Sequence, residues 1–130
     1  MLNETDIVEL ISAAKDVSSR SYCPYSKFPV GAALKAGDGR VFAGCNVENA
    51  SFGLTVCAER NAIFSAVSAG VAEITALVIY TPTAEPVTPC GACRQVLLEF
   101  GRNADVVCVC AGPGRLNFRA SELLPHQFTF

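Results

Sequence analysis

This 130-residue chain has little charge and no concentration of one sign: 17% of its residues are charged, and its ten Lys and Arg form no run. A basic nucleic-acid footprint is therefore missing, and so is a cradle for several phosphates. With a net charge of -2, the small-molecule partner is expected to be neutral or weakly charged. No stretch of about 18 apolar residues occurs, which argues against a membrane-spanning helix. The N-terminus, Met1 to Asp6, is acidic. It lacks the basic start and apolar run of a signal peptide. The one histidine, His126, lies near the C-terminus and has no part in the metal reading below. Internal repeats and low-complexity stretches are absent.

Hydrophobic residues make up 51% of the chain, enough for a compact core and for buried subunit contacts. The length predicts one domain, residues 1–130. Seven cysteines is an odd count. Three have a metal-site reading, and the other four sit in apolar or mixed surroundings. This usage fits a reducing, cytoplasmic setting better than a disulfide scaffold.

Ile7, Leu10, Ile11, Ala14 and Val17 repeat at helical spacing, predicting a helix from about Asn3 to Ser19, with Asn3 or Thr5 as its cap. Tyr22 to Pro29 holds two prolines and reads as an ordered loop. Strands are expected over Val30 to Lys35 and Val41 to Asn46, joined by a turn at 36–40. A loop follows to Thr55, and then a helix from Cys57 to Ala69 with Gly70 as its stop. Ile74 to Tyr80 and Val106 to Cys110 read as buried strands. Between them lie a loop with three prolines and a helix, Gly91 to Phe100, ended by Gly101. Leu116 to Arg119 reads as an edge strand, and Ser121 to Leu124 as one helical turn. The order α-β-β-α-β-α-β-β-α implies a mixed, partly parallel sheet with helices packed on it.

The chemistry is concentrated in two short motifs, Cys57-Ala58-Glu59 and Pro89-Cys90-Gly91-Ala92-Cys93. Both open helices, where partial positive charge lowers thiol pKa values and favours thiolates. Cys90 and Cys93, three apart, can face one side of a first turn. Three thiolates would hold a Zn²⁺ and leave its fourth tetrahedral position open for water, the arrangement of catalytic zinc. Glu59, two residues from a ligand, is placed to move protons. A structural site has no use for it. A four-cysteine structural site would need Cys23, Cys45, Cys108 or Cys110 as fourth ligand; these read instead as small core residues. Three thiolates leave the site with a surplus negative charge. Arg60 and Arg94 each follow a motif residue and either can donate hydrogen bonds to the sulfurs; the role is assigned to Arg60. Cys-x-Glu with Pro-Cys-x-x-Cys is the three-cysteine form of the zinc deaminase signature.

The chain resembles the short, homotetrameric type of cytidine deaminase. The resemblance runs through Tyr22 to Ala33, Gly44 to Ser51, Cys57 to Ala62, Pro89 to Val96 and Glu122 to Pro125, nearly the whole chain in order. It implies a three-layer α/β/α fold with a five-stranded mixed sheet and one Zn²⁺ per subunit. It also implies hydrolytic deamination of cytidine and 2′-deoxycytidine, with Glu59 as proton shuttle. By the same resemblance Asn46 and Glu48 hold the ribose hydroxyls, Phe28 packs on the base and Ala58 offers a backbone contact to the base edge. Phe128 reaches into a neighbouring subunit's site in a homotetramer. Phe52 stands where the family often has tyrosine, which keeps the ring and loses a hydroxyl. A blasticidin-type deaminase shares the cysteine motifs; the Phe28-to-Ala33 and Asn46-to-Asn49 blocks favour the nucleoside enzyme.

Overall fold

A computed structural model describes residues 2–130. The first helix, α1, spans Glu4–Ser18, and its cap is Asn3, whose Oδ1 accepts from the Asp6 amide at 2.8 Å. It buries Leu10, Ala14 and Val17, every third or fourth residue of the expected stripe. The strands are β1 (Gly31–Ala36), β2 (Val41–Cys45), β3 (Ile74–Thr81), β4 (Asp105–Cys110) and β5 (Arg115–Arg119). The helices α2 (Ala58–Ser68), α3 (Gly91–Gly101) and α4 (Ala120–Leu123) complete the expected order.

The five strands form one sheet in the order β2-β1-β3-β4-β5. Only β3 and β4 run parallel, with Leu77 opposite Val106 and Ile79 opposite Cys108. That parallel pair needs a crossover, and α3 provides it. Alternation along the strands divides the core. Leu34, Leu77, Ile79, Val106 and Cys108 pack towards α2 and α3. Ala33, Ala76, Val78, Val107 and Val109 pack with Leu10 and Ala14 of α1. The result is the α/β/α layering expected of the fold. Both faces of the central strands are covered, so their near-continuous apolar composition is satisfied.

Two glycines set the position of α2. Gly70 ends it with φ 91°, a left-handed conformation that only glycine adopts without strain. Gly44 lets it lie against β2: a Cβ there would stand 2.4 Å from the Ala62 amide nitrogen and 2.9 Å from the Ala58 carbonyl oxygen.

Two local expectations need correction. Gly101 does not stop α3 as a C-terminal glycine; it is the last helical residue, buried, and a Cβ on it would meet the Ile74 carbonyl oxygen at 2.7 Å. Its smallness admits β3, and Arg102 caps the helix. The expected loop from Asn46 to Thr55 contains a single 3₁₀ turn, Phe52–Leu54, and Val47 bridges to both Tyr22 and Val56. Polar and small residues obscured this turn because a three-residue helix shows no periodicity.

Candidate functional site

The amino ends of α2 and α3 converge on three sulfurs. Cys57 is the N-cap of α2 and Cys90 the N-cap of α3, and neither side chain makes a capping hydrogen bond. Both thiols are thus free to ligate. Cys93 lies in the first turn of α3. The sulfurs of Cys57, Cys90 and Cys93 all lie within 4.8 Å of one another, with Cys57 to Cys90 at 4.0 Å and Cys90 to Cys93 at 3.5 Å. Three sulfurs each about 2.3 Å from one zinc in tetrahedral geometry stand about 3.8 Å apart. The cluster therefore fits the ion. Among the described residues it is the single gathering of potential ligands of this kind. Cys23, Cys45, Cys108 and Cys110 do not join this cluster, so the four-cysteine alternative has no support.

The charge balance of the three sulfurs suits a cation. A hydrogen bond from Cys93, reinforced by Arg60, lowers the Cys57 thiol to about 5. Cys93 is pushed far up because it supplies that bond and is buried. A divalent cation allows all three thiols to ionise. Arg60 donates from a terminal nitrogen to the Cys57 sulfur at 3.3 Å, and its Nε is buried without a partner. Arg94 does not reach the sulfurs. Its donors go to Pro89, Thr88 and Leu123.

Glu59 occupies the first turn of α2 and is 5% exposed. Burial pushes its carboxyl above the ordinary value; its own backbone amide opposes this and the Cys57 thiolate adds to it. A carboxyl so placed takes up a proton more readily than one in water. Cys108, on β4, is pushed up to about 12 by burial and by the charge of Glu59. It stays a neutral core thiol.

Beside the cluster opens a cavity of about 370 Å³ lined by Cys57, Ala58, Glu59 and Cys90 on one side and Phe28, Asn46 and Glu48 on another. Ala58 is the first residue of α2, so its amide belongs to those without an intrahelical acceptor. The loop before β1 turns sharply at Lys27, φ 58°, with the Lys27 amide bonded to the Cys23 carbonyl at 2.9 Å. That turn carries Phe28 to the cavity. Glu48 accepts the amides of Tyr25 at 2.9 Å and Ser26 at 3.2 Å, and also the Ser26 hydroxyl. The Ser26 hydroxyl foremost, with these amides, holds its carboxyl below the usual range.

Asn46 is nearly buried, and its side chain ties three segments together. Its Oδ1 accepts from the Val30 amide at 2.9 Å and the Ser21 hydroxyl at 2.5 Å, while Nδ2 donates to the Phe28 carbonyl at 2.8 Å. One Nδ2 hydrogen remains for a ligand. Phe128 is the expected site residue that does not join the others. It is 69% exposed, packs edge-on against Phe130, and does not line the cavity. Sequence reasoning missed Ser26, Thr55, Val87 and Thr88 as lining residues. Ser26 lies within the motif block Tyr22 to Pro29 and could have been found there. Val87 and Thr88 sit in a proline-rich loop with no periodicity to read.

The family model for the cytidine and deoxycytidylate deaminase zinc-binding region matches residues 4–110. A cytidine deaminase of Sporosarcina psychrophila is 54% identical over 125 residues, 95% of this chain and 92% of that one. A probable cytidine deaminase of Dictyostelium discoideum is 43% identical over 98% of this chain and 87% of its own length. The crystal structure of a cytidine deaminase from Burkholderia pseudomallei superposes with a TM-score of 0.90 at 45% identity, covering 98% of this chain and all of that one. From its fold, its three-sulfur cluster and these matches, the chain belongs to the family of zinc-dependent cytidine and deoxycytidylate deaminases.

Proposed function

We propose that residues 1–130 form one catalytic domain in which this cavity hydrolyses the C4–N4 bond of cytidine and 2′-deoxycytidine, giving the uridines and ammonia in pyrimidine salvage. The observation that carries the reading is Glu59, a buried carboxyl outside the ligand cluster, beside three sulfurs at zinc-ligand spacing. Cys57, Cys90 and Cys93 hold the zinc, which supplies the Lewis acidity that makes water a nucleophile at neutral pH. Glu59 accepts the first proton from the attacking water and passes it to ring N3. It then moves the second proton to the departing amino group, so that ammonia leaves and the ring retains its N3 hydrogen. Burial favours the protonated carboxyl that this return step needs.

The Ala58 amide faces the base edge and Phe28 packs on the base. Glu48, held ionised by Ser26, accepts from the sugar diol, and Asn46 donates its remaining Nδ2 hydrogen. A fixed carboxylate at the sugar end repels a 5′-phosphate, so the nucleoside is preferred over the nucleotide. The charge surplus at the sulfurs is offset by Arg60 and by the two helix amino ends.

Assembly into a homotetramer, with a neighbour's Phe128 completing each site, is part of the same reading. Support comes from exposed apolar side chains: Tyr25, edge-on to Phe52 at 5.5 Å beside the cavity residues Ser26, Glu48 and Thr55, and Tyr22 and Val47 on bridged backbone. No described helix is long and apolar enough to cross a membrane; we place the enzyme in the cytoplasm. The test is stoichiometric: one ammonia released per cytidine consumed by zinc-loaded protein, and less than one hundredth of that rate with cytidine 5′-monophosphate. No release from cytidine would overturn the proposal.

A further inference from the structure

Consecutive residues at the start of α3 serve different parts of the molecule. Cys93 joins the sulfur cluster, whereas Arg94 and Gln95 point away from it. The Arg94 guanidinium donates from Nε to the Pro89 carbonyl at 2.7 Å and from one terminal nitrogen to the Thr88 hydroxyl at 3.1 Å. Its other terminal nitrogen donates to the Leu123 carbonyl at 2.9 Å. Leu123 ends α4, so that carbonyl has no partner within the helix. Next to it, Gln95 Nε2 donates to the Phe128 carbonyl at 3.1 Å.

The loop between β3 and α3 forms one wall of the cavity, with Val87, Thr88 and Cys90 among the lining residues. Its first half is anchored through Thr83, which bonds to Thr81, to the Glu85 carbonyl and to the Ala111 amide. Among the described residues, the hydrogen bonds reaching 86–89 all come from Arg94. Apart from backbone stiffness at Pro86 and Pro89, this stretch therefore depends on one side chain. Three acceptors lie in three directions around it, a geometry that a planar guanidinium meets and a single ammonium nitrogen does not.

We propose that Arg94 is a positioning residue that fixes the cavity wall at Thr88–Cys90 and couples it to the end of α4 at Leu123. It does not line the cavity and acts through Thr88 and Pro89. The proposal rests on the cavity being the nucleoside site. Loss of the guanidinium frees the wall before chemistry begins, so the effect falls on substrate binding more than on the proton steps.

The test compares wild type, Arg94→Lys, Thr88→Val and the double variant in the zinc-loaded full chain. Arg94→Lys raises KM for cytidine about tenfold, the equivalent of one hydrogen bond to a charged group, with kcat within about threefold. Thr88→Val also raises KM, and the double variant is no worse than the more severe single, because the two residues act as a unit. Backbone order parameters at Val87, Thr88 and Cys90 fall in Arg94→Lys, a readout independent of the reaction. Wild-type KM in both single variants, or unchanged order parameters at 87–90 with only a lowered Tm, would overturn the proposal. If Arg94→Lys does not fold, Thr88→Val decides, and wild-type KM there refutes it. If the wild type does not deaminate cytidine, the functional reading fails while the order-parameter comparison still judges the coupling.

Discussion

Adding one methyl group at Gly44 is expected to move half of the active centre. The Cβ of alanine there would fall 2.4 Å from the Ala62 amide nitrogen and 2.9 Å from both the Ala58 carbonyl oxygen and the Asn61 carbonyl carbon. All three are backbone atoms of α2, so no side chain can swing aside. Relief to ordinary contact requires α2 to retreat from β2 by about 1 Å. Overpacking of this kind costs about 1–3 kcal/mol, and each kcal/mol lowers Tm by roughly 3–6 °C in a chain of this size. The retreat carries Cys57 and Glu59 away from Cys90 and Cys93, which belong to a different helix. A displacement of about 1 Å at reacting groups costs about 100-fold in rate. Gly44→Ala should therefore lose both stability and kcat, with less than one zinc retained per chain. Gly70→Ala is the contrast. It strains the backbone at φ 91° by about 1–2 kcal/mol at the far end of the same helix, so Tm falls and kcat stays. Thermal unfolding, zinc content and ammonia release measure all three quantities. A Gly44→Ala protein that matches Gly70→Ala in kcat would refute the claim that the β2 contact places the first turn of α2.

Arg60→Ala leaves the Cys57 sulfur without its donor at 3.3 Å; zinc affinity should drop about 10–100-fold in a chelator competition, and unchanged affinity and rate would remove the role. Ser26→Ala deletes the largest contribution that holds Glu48 ionised. The folded-state pKa of Glu48 lies below the ordinary value, so its stabilising contribution is present above the unfolded pKa and is lost as pH falls through the folded one. In Ser26→Ala the carboxyl resonance of Glu48 should titrate at higher pH and KM should rise earlier on acidification; an unmoved titration contradicts this. Phe128→Ala should raise KM with zinc intact, and a monomer fully active at high dilution would count against shared sites.

Most elements could be read from the sequence because periodicity and punctuation agree. The stripe at Leu10, Ala14 and Val17 faces the sheet, Gly70 terminates α2, and the apolar runs at 74–80 and 106–110 became the parallel pair. The gathering of Cys57, Cys90 and Cys93 could be anticipated because both motifs open helices, and a Cys-x-x-Cys at a helix start brings its sulfurs to one face. Other features depend on contacts between distant segments. Arg60 and Arg94 look equivalent in sequence, each following a motif residue; only the fold directs one to a sulfur and the other to three oxygens around Thr88 and Leu123. Asn46 reads as a sugar ligand or a strand end, and the structure shows its oxygen fully engaged by Val30 and Ser21. Gly101 illustrates the same limit: its value lies in the approach of β3, which helix-stop reasoning does not see.

The most direct test of the account is Glu59→Gln. The amide matches the carboxyl in shape and cannot shuttle protons, while Cys57, Cys90 and Cys93 are untouched. The account predicts one zinc per chain, a cytidine affinity close to that of the wild type, and ammonia release reduced by at least about 10²–10⁴-fold. A zinc-loaded Glu59→Gln protein that deaminates cytidine at the wild-type rate would contradict it.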